Sequence, residues 1–258
     1  MIRAVISDMD GVLYRGKHLI SGAKEFVARL LEKNIPFLFL TNNSEQTPLD
    51  LKRKLETLGI SGVKEENFIT SAMATAEFLR SQKPGATVYV IGGGGLATEM
   101  YRVGFSISES QADYVVVGKT SHFNFEMLKK AVRLIEKGAK FIGTNPDVID
   151  PAEDGIEPAC GSILAAIEAA TGKKPYIVGK PNPMMMLIAK RKLGCHATET
   201  LMIGDRMDTD ILGGMEAGMR TALVLSGVST REVLREFPYQ PDYVFEHIGE
   251  IDIKKLEA

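Results

Sequence analysis

The stretch Ala4-Val5-Ile6-Ser7-Asp8-Met9-Asp10-Gly11 decides how the rest of the chain is read. Ala4–Ser7 is an apolar, β-type run that leads straight into two acids. In an extended segment the side chains at i and i+2 point the same way, so Asp8 and Asp10 project together. They do so from the carboxyl end of a strand, where open α/β sheets bind ligands. Two carboxylates this close repel, which raises one pKa unless a cation is present; hard divalent cations such as Mg²⁺ take oxygen ligands. A polar loop start, with Asp10-Gly11 as a turn, explains the same residues equally well at this point.

Working outward, short apolar runs alternate with helical patterns almost throughout. Ser21 reads as the cap of a helix whose apolar face is Ala23, Phe26, Val27, Leu30 and Leu31. Phe37–Leu40 is the next strand, ending at Thr41-Asn42-Asn43, and Thr47-Pro48 reads as the start of a helix that stops near Gly59. Phe68–Thr70 is a third strand. The alternation restarts beyond Gln82-Lys83-Pro84-Gly85, with strands at Thr87–Ile91 and Tyr114–Val117, then a long loop from Thr144 to Gly161. After Lys173-Lys174-Pro175 the first pattern resumes: a helix from Asn182-Pro183 to Gly194, a strand Leu201–Ile203 ending in Gly204-Asp205, and a strand Thr221–Leu225. β-α-β-α order with short connections implies a parallel sheet covered on both faces. The expected architecture is therefore α/β: a doubly wound, Rossmann-like core built from residues 1–83 and 176–258, with an inserted α/β unit over residues 84–175.

Composition narrows the function. The 258 residues carry 31 Lys+Arg against 33 Asp+Glu, a formal net charge of −2 without a basic block. That argues against binding a nucleic acid polymer or an anionic membrane, both of which need a clustered basic surface. No apolar run approaches the ~20 residues that span a bilayer. The acidic pair near the N-terminus interrupts any signal-peptide pattern. Cys160 and Cys195 form no CxxC pair and read as reduced thiols of a cytoplasmic protein. The four histidines are scattered, which gives histidine-based catalysis little support.

Three further segments carry chemistry. Gly204-Asp205-Arg206-Met207-Asp208-Thr209-Asp210 places three acids between a strand and a helix. Helix capping by Asp208 or Thr209 accounts for one or two of them, not for all three. Thr41-Asn42 closes a strand with a hydroxyl, an amide and backbone N–H groups, which suit phosphate oxygens or an ordinary polar turn. Lys180, in Gly179-Lys180-Pro181, offers a point charge to an anion or stands solvated. All four sites fall at strand ends in the two terminal parts of the chain.

Taken in order, Asp8-Met9-Asp10-Gly11, Thr41-Asn42, Lys180, and Gly204-Asp205 with Asp208 and Asp210 resemble the four motifs of the haloacid dehalogenase-like hydrolase superfamily. The length between the second and third motifs resembles the branch with a large α/β cap inserted there. Nearly the whole chain is similar to NagD-like, or 4-nitrophenylphosphatase-like, phosphatases, including Thr144-Asn145-Pro146-Asp147 and Leu225-Ser226-Gly227-Val228. Val12 stands where many superfamily members have Thr. The resemblance implies an enzyme, a Mg²⁺-dependent phosphatase acting on small-molecule phosphate monoesters such as nucleoside monophosphates or sugar phosphates. It implies Asp8 as nucleophile, forming an aspartyl-phosphate, and Asp10 as general acid and base. Mg²⁺ would be held by Asp8, the Asp10 backbone carbonyl and Asp205, with Asp208 and Asp210 as outer partners. Thr41, Asn42 and Lys180 would bind the phosphoryl group. The cap would select the substrate, with Asn145, Asp147 and Glu157 in the Thr144–Gly161 loop as candidate contacts. The branch leaves a homodimer open.

Three rivals remain. A phosphomutase or phosphotransferase uses the same core residues. Gly92-Gly93-Gly94-Gly95-Leu96-Ala97 fits a dinucleotide fingerprint and so an NAD-dependent oxidoreductase, but leaves the acid clusters unexplained. A phospho-accepting receiver domain shares the acids, Thr and Lys, yet is much shorter and has no inserted unit.

Overall fold

The computed structural model describes residues 2–152 and 155–257. The chain forms two compact units: residues 1–41, 48–69 and 180–258 in the first, and residues 42–47 and 70–179 in the second. The fold is α/β, as the alternation predicts. The second unit begins at Thr70, ahead of the Pro84-Gly85 stretch expected to mark a boundary, and so takes in the helix Ser71–Gln82. It also takes in the short segment 42–47.

In the first unit, six strands lie in the order Tyr243–Phe245, Arg220–Val224, Thr200–Gly204, Ala4–Ser7, Phe37–Thr41 and Phe68–Thr70. Ala4–Ser7 pairs in parallel with Thr200–Gly204 on one side and Phe37–Thr41 on the other. Numbered along the chain this is the doubly wound order 3-2-1-4-5-6, whose switch point falls between Ala4–Ser7 and Thr200–Gly204. Both strands are buried along their whole length, as a sheet covered on two faces requires. One face packs Val5, Phe39, Ile203 and Val224 against Phe26, Val27 and Leu30 of the helix Ala23–Glu32.

Several expected boundaries move. Ser21 does not cap that helix: Gly22, at φ 73, stands at the cap and its Cα lies close to Gly249. A left-handed backbone beside a neighbouring chain admits glycine alone at little cost. Pro48 does open the helix Pro48–Thr57, and Asn182 caps Pro183–Leu193 by accepting from the Met184 N–H, with Gly194 at its end in the left-handed conformation. Met185 and Met186 of that helix are buried core residues. Residues expected to cap a helix from Asp210 instead form a π-helical turn, Met207–Ile211, with no side-chain cap.

In the second unit, five strands run in the order Tyr176–Ile177, Lys140–Gly143, Tyr114–Val117, Thr87–Ile91 and Ser106–Ile107, all paired in parallel. This is a second doubly wound sheet, with its switch point between Thr87–Ile91 and Tyr114–Val117. The stretch expected to be a loop from Thr144 to Gly161 contains an antiparallel pair, Ile149–Ala152 with Gly155–Pro158, which places Asp150 opposite Glu157. Strands of four residues with one charge and one proline each are too short to give a periodic signal.

The four-glycine run lies at this second switch point. The Gly95 N–H donates to the Glu45 carbonyl at 2.9 Å, and the Lys119 N–H to the Ser44 hydroxyl at 3.3 Å. A Cβ on Gly95 would stand 2.6 Å from the Glu45 oxygen, and one on Gly118 2.5 Å from the Ser44 Oγ. The protein's own Ser44-Glu45 segment thus fills the crevice that a dinucleotide would need, and the glycines make room for that segment.

Candidate active site

Asp8 and Asp205 leave the ends of the two strands that flank the first switch point. Ser7 is in register with Ile203, and the Asp8 N–H extends the ladder by donating to the Ile203 carbonyl at 2.8 Å. The π-helical turn then brings Asp210 back against the strand end. Gly204 allows this, since a Cβ there would lie 2.1 Å from the Asp210 Cβ. The result is one buried group of three carboxylates, Asp8, Asp205 and Asp210, with an oxygen from each within 4.8 Å of the others.

Lys180 opens the third stretch of the first unit and its ammonium enters this group. It donates to Asp210 Oδ1 at 2.7 Å and to the Leu40 carbonyl at 3.3 Å, and stands 2.9 Å from Asp8 Oδ1. Lys180 is 2% exposed, so the sequence alternative of a solvated lysine is excluded. Its two carboxylate partners hold its pKa above the usual lysine value despite burial. Asp210 also accepts from the Arg206 N–H at 3.2 Å.

Asp205 is cradled by backbone. Its Oδ2 accepts from the Val228 N–H at 2.7 Å, and its carbonyl from the Ser229 N–H at 3.0 Å. A Cβ on Gly227 would lie 1.9 Å from Asp205 Oδ2, and one on Gly11 2.4 Å from it. Sequence reasoning noted Gly11 and the Ser226-Gly227-Val228 stretch without this role; the signal was a glycine after each of two strands.

Burial sets the electrostatics. Desolvation pushes the Asp205 carboxyl up to about 8, reinforced by Asp210 and Asp8. Asp210 rises to about 6, again through burial, with Lys180 pulling it back. Asp8 rises for the same first cause, opposed by Lys180. Once all three are ionised, three carboxylates and one ammonium carry a net charge of −2 in a desolvated pocket, which one divalent cation would balance; burial alone holds the carboxyls partly protonated instead. An oxygen-only donor set also suits a hard ion. The residues present therefore fit a divalent metal.

The other sequence-predicted residues divide. Asp10 follows Asp8 by two positions, and its side chain is exposed. Thr41 ends the strand beside Ala4–Ser7 and is buried. Asp208 stands apart from the acid group: its exposed carboxylate takes both Nε and Nη2 of Arg206, at 3.1 and 2.8 Å. Asn42, Asn145 and Asp147 meet in the second unit, where the Asn42 amide donates to Asp147 Oδ2 at 3.0 Å. Glu157 pairs instead with Lys119, which also holds Asp150. Two neighbours went unnoticed in the sequence: Tyr14, its phenol pushed up by burial and by Asp10 and Asp8, and Lys54, whose ammonium lies 3.9 Å from the Tyr14 ring centre.

Two family models match this chain, "Haloacid dehalogenase-like hydrolase" over residues 5–106 and "HAD-hydrolase-like" over residues 177–251. The chain is 46% identical over 246 residues to dihydroxyacetone phosphatase of Corynebacterium glutamicum, covering 95% of this chain and 89% of that one. It is 42% identical over 252 residues to ribonucleotide monophosphatase NagD of Escherichia coli, covering 98% and 99%. It belongs to the haloacid dehalogenase-like hydrolases. The solved structure of NagD from E. coli superposes with a TM-score of 0.92 at 43% identity, covering 97% of this chain and 98% of that one. Within the haloacid dehalogenase-like hydrolases the chain falls in the NagD-like, 4-nitrophenylphosphatase-like branch, and it is an enzyme of the phosphoric monoester hydrolase class. Among the described residues no helix is long and apolar enough to cross a membrane.

Proposed function

We propose that this protein hydrolyses small-molecule phosphate monoesters with Mg²⁺ as cofactor, through an aspartyl-phosphate on Asp8. The observation that carries this reading is the group of Asp8, Asp205 and Asp210 around Lys180 at a switch point, which when ionised is short of two positive charges. Asp8, Asp205 and the Asp10 backbone carbonyl would hold the ion, with Asp210 oriented behind them by Lys180 and the Arg206 N–H. When bound, Mg²⁺ supplies charge compensation that lets an anionic nucleophile meet a phosphate dianion.

An Asp8 oxygen forms a bond to phosphorus as the bond from phosphorus to the leaving oxygen breaks. The exposed Asp10 carboxyl gives its proton to that oxygen and becomes a carboxylate. In the second half, Asp10 takes a proton from water, the hydroxyl oxygen bonds to phosphorus, and the Asp8–phosphorus bond breaks to release inorganic phosphate. Lys180 shares its one positive charge between the Asp8 side chain and Asp210, while Thr41 and Asn42 orient the transferring oxygens. The second unit acts as the cap that selects the leaving group. Cys160, which is buried, and Cys195 are both unpaired, which supports a reducing, cytoplasmic setting. A homodimer is the accompanying expectation, checked by light scattering.

The relatives' names point to triose and ribonucleotide phosphates, so the test is a substrate panel. Dihydroxyacetone phosphate, nucleoside monophosphates, sugar phosphates and 4-nitrophenyl phosphate are assayed for phosphate release with and without Mg²⁺, with Asp8→Asn as control. Release that needs both Mg²⁺ and Asp8 is expected. Product analysis that found an isomeric phosphate ester instead would favour a mutase, and release by Asp8→Asn would remove the nucleophile assignment.

A further inference from the structure

Asn42 is fixed from three sides, all within the second unit. Its carbonyl oxygen accepts from the Ser71 hydroxyl at 2.6 Å and from Asn145 Nδ2 at 2.8 Å. Its side-chain amide donates to Asp147 Oδ2 at 3.0 Å. Its own Oδ1 faces Gly179, where a Cβ would lie 2.7 Å away. Asn145 is 4% exposed, and its remaining capacity is engaged as well: Nδ2 reaches Thr144 Oγ1 at 3.3 Å and Oδ1 accepts from the Asp147 N–H at 3.1 Å. Asn145 therefore joins the backbone of Asn42 to the backbone of Asp147, and Asp147 closes the loop on the Asn42 amide.

We propose that Asn145 and Asp147 are positioning residues for the reaction: they set the rotamer and backbone of Asn42, rather than touching the leaving group. This rests on the reading of Asn42 as a contact to the transferring oxygens. Asn42 comes directly after Thr41, the last residue of its strand, and a strand end alone leaves the next side chain free to rotate. A carboxylate acceptor and two donors to one carbonyl remove that freedom. Asn42 is thereby held in one orientation by residues of its own unit.

The two roles separate by experiment. kcat and KM are measured for Asn42→Ala, Asp147→Ala, Asp147→Asn and the double variant Asn42→Ala/Asp147→Ala, on 4-nitrophenyl phosphate, a sugar phosphate and a nucleoside monophosphate, with thermal midpoints for each. Positioning predicts that Asp147→Ala lowers kcat about 10- to 100-fold, by the same factor on every substrate. Asp147→Asn keeps an acceptor for the Asn42 amide and should stay within about threefold of wild type. The double variant should be no slower than Asn42→Ala alone, because residues that act as a unit are not additive. Losses that differ between leaving groups, or that add to those of Asn42→Ala, would overturn the positioning role while leaving Asn42 as a phosphate contact. An Asn42→Ala variant with wild-type activity would instead overturn the reading of Asn42 and this proposal with it. If Asp147→Ala does not fold, Asp147→Ser, too short to reach Asn42, answers the same question.

Discussion

Lys180 Nζ stands 2.9 Å from Asp8 Oδ1, and both side chains are almost wholly withdrawn from water. The same ammonium is bonded to Asp210 at 2.7 Å, so one cation serves two buried carboxylates. Lys180→Met leaves those carboxylates without their neutralising partner, and breaking a buried pair on one side costs about 3–5 kcal/mol. A lower thermal midpoint is expected, with a larger drop at alkaline pH, where the uncompensated acids must ionise. An unchanged midpoint across pH would contradict the geometry.

Asp8→Asn removes the proposed nucleophile while keeping size and shape. Turnover should fall to background with the thermal midpoint preserved or raised, since one buried negative charge is lost. Acid-quenched enzyme should carry phosphate in the wild type and none in the variant. Asp10→Asn should slow turnover by about 10²–10⁴-fold, the usual share of general acid–base catalysis.

The raised carboxyls make metal binding and stability depend on pH in opposite ways. The Asp205 carboxyl lies at about 8 when folded against an ordinary 3.8, and Asp210 at about 6. A carboxyl whose folded pKa is raised contributes stability that is complete below its unfolded value and is lost as pH rises through the folded one. The metal-free protein should therefore lose stability between about pH 4 and pH 8. Metal needs the ionised forms, so the gain in midpoint on adding Mg²⁺ should be larger at pH 8.5 than at pH 6. Differential scanning fluorimetry with and without EDTA reads both trends.

Gly227→Ala puts a Cβ where Asp205 Oδ2 now sits, at 1.9 Å. Asp205 or the loop must move, so the concentration of Mg²⁺ needed for half-maximal activity should rise at least about tenfold, as when an outer partner of a metal site is lost. A Mg²⁺ titration of activity checks this; an unchanged half-maximal concentration would place the ion elsewhere.

Gly95→Ala crowds the Glu45 carbonyl, with the new Cβ 2.6 Å from its oxygen. Overpacking of this kind costs about 1–3 kcal/mol. The variant should unfold at lower denaturant, and NADH should give no saturable fluorescence change with the wild type, because Ser44-Glu45 occupies the crevice.

Much of this was legible along the chain. Apolar runs of four or five residues bounded by helical periodicity mark the buried parallel strands, and Asp8-Met9-Asp10-Gly11 is visible because i and i+2 share a direction on any strand. The antiparallel pair Ile149–Ala152 with Gly155–Pro158 was not, since each strand is four residues long and contains a proline, which speaks against a strand. The glycine run, rightly set aside as a dinucleotide site, did not reveal its actual neighbour: a dinucleotide cradle and a groove for Ser44-Glu45 need the same small residues. Asp208 looked like a partner of Asp210, yet on the wider π-helical turn the two carboxylates take different partners, one Arg206 and the other Lys180.

The order of residues settled the α/β class and which side chains were candidates, because strand and helix periods are local properties. The folded chain settled which candidates meet. Strand order is fixed by burying both faces of a sheet, an interaction between distant segments, and it is this order that sets Asp8 beside Asp205 across the switch point. The same long-range packing puts Lys180 between two acids and hands Asn42 to Asn145 and Asp147.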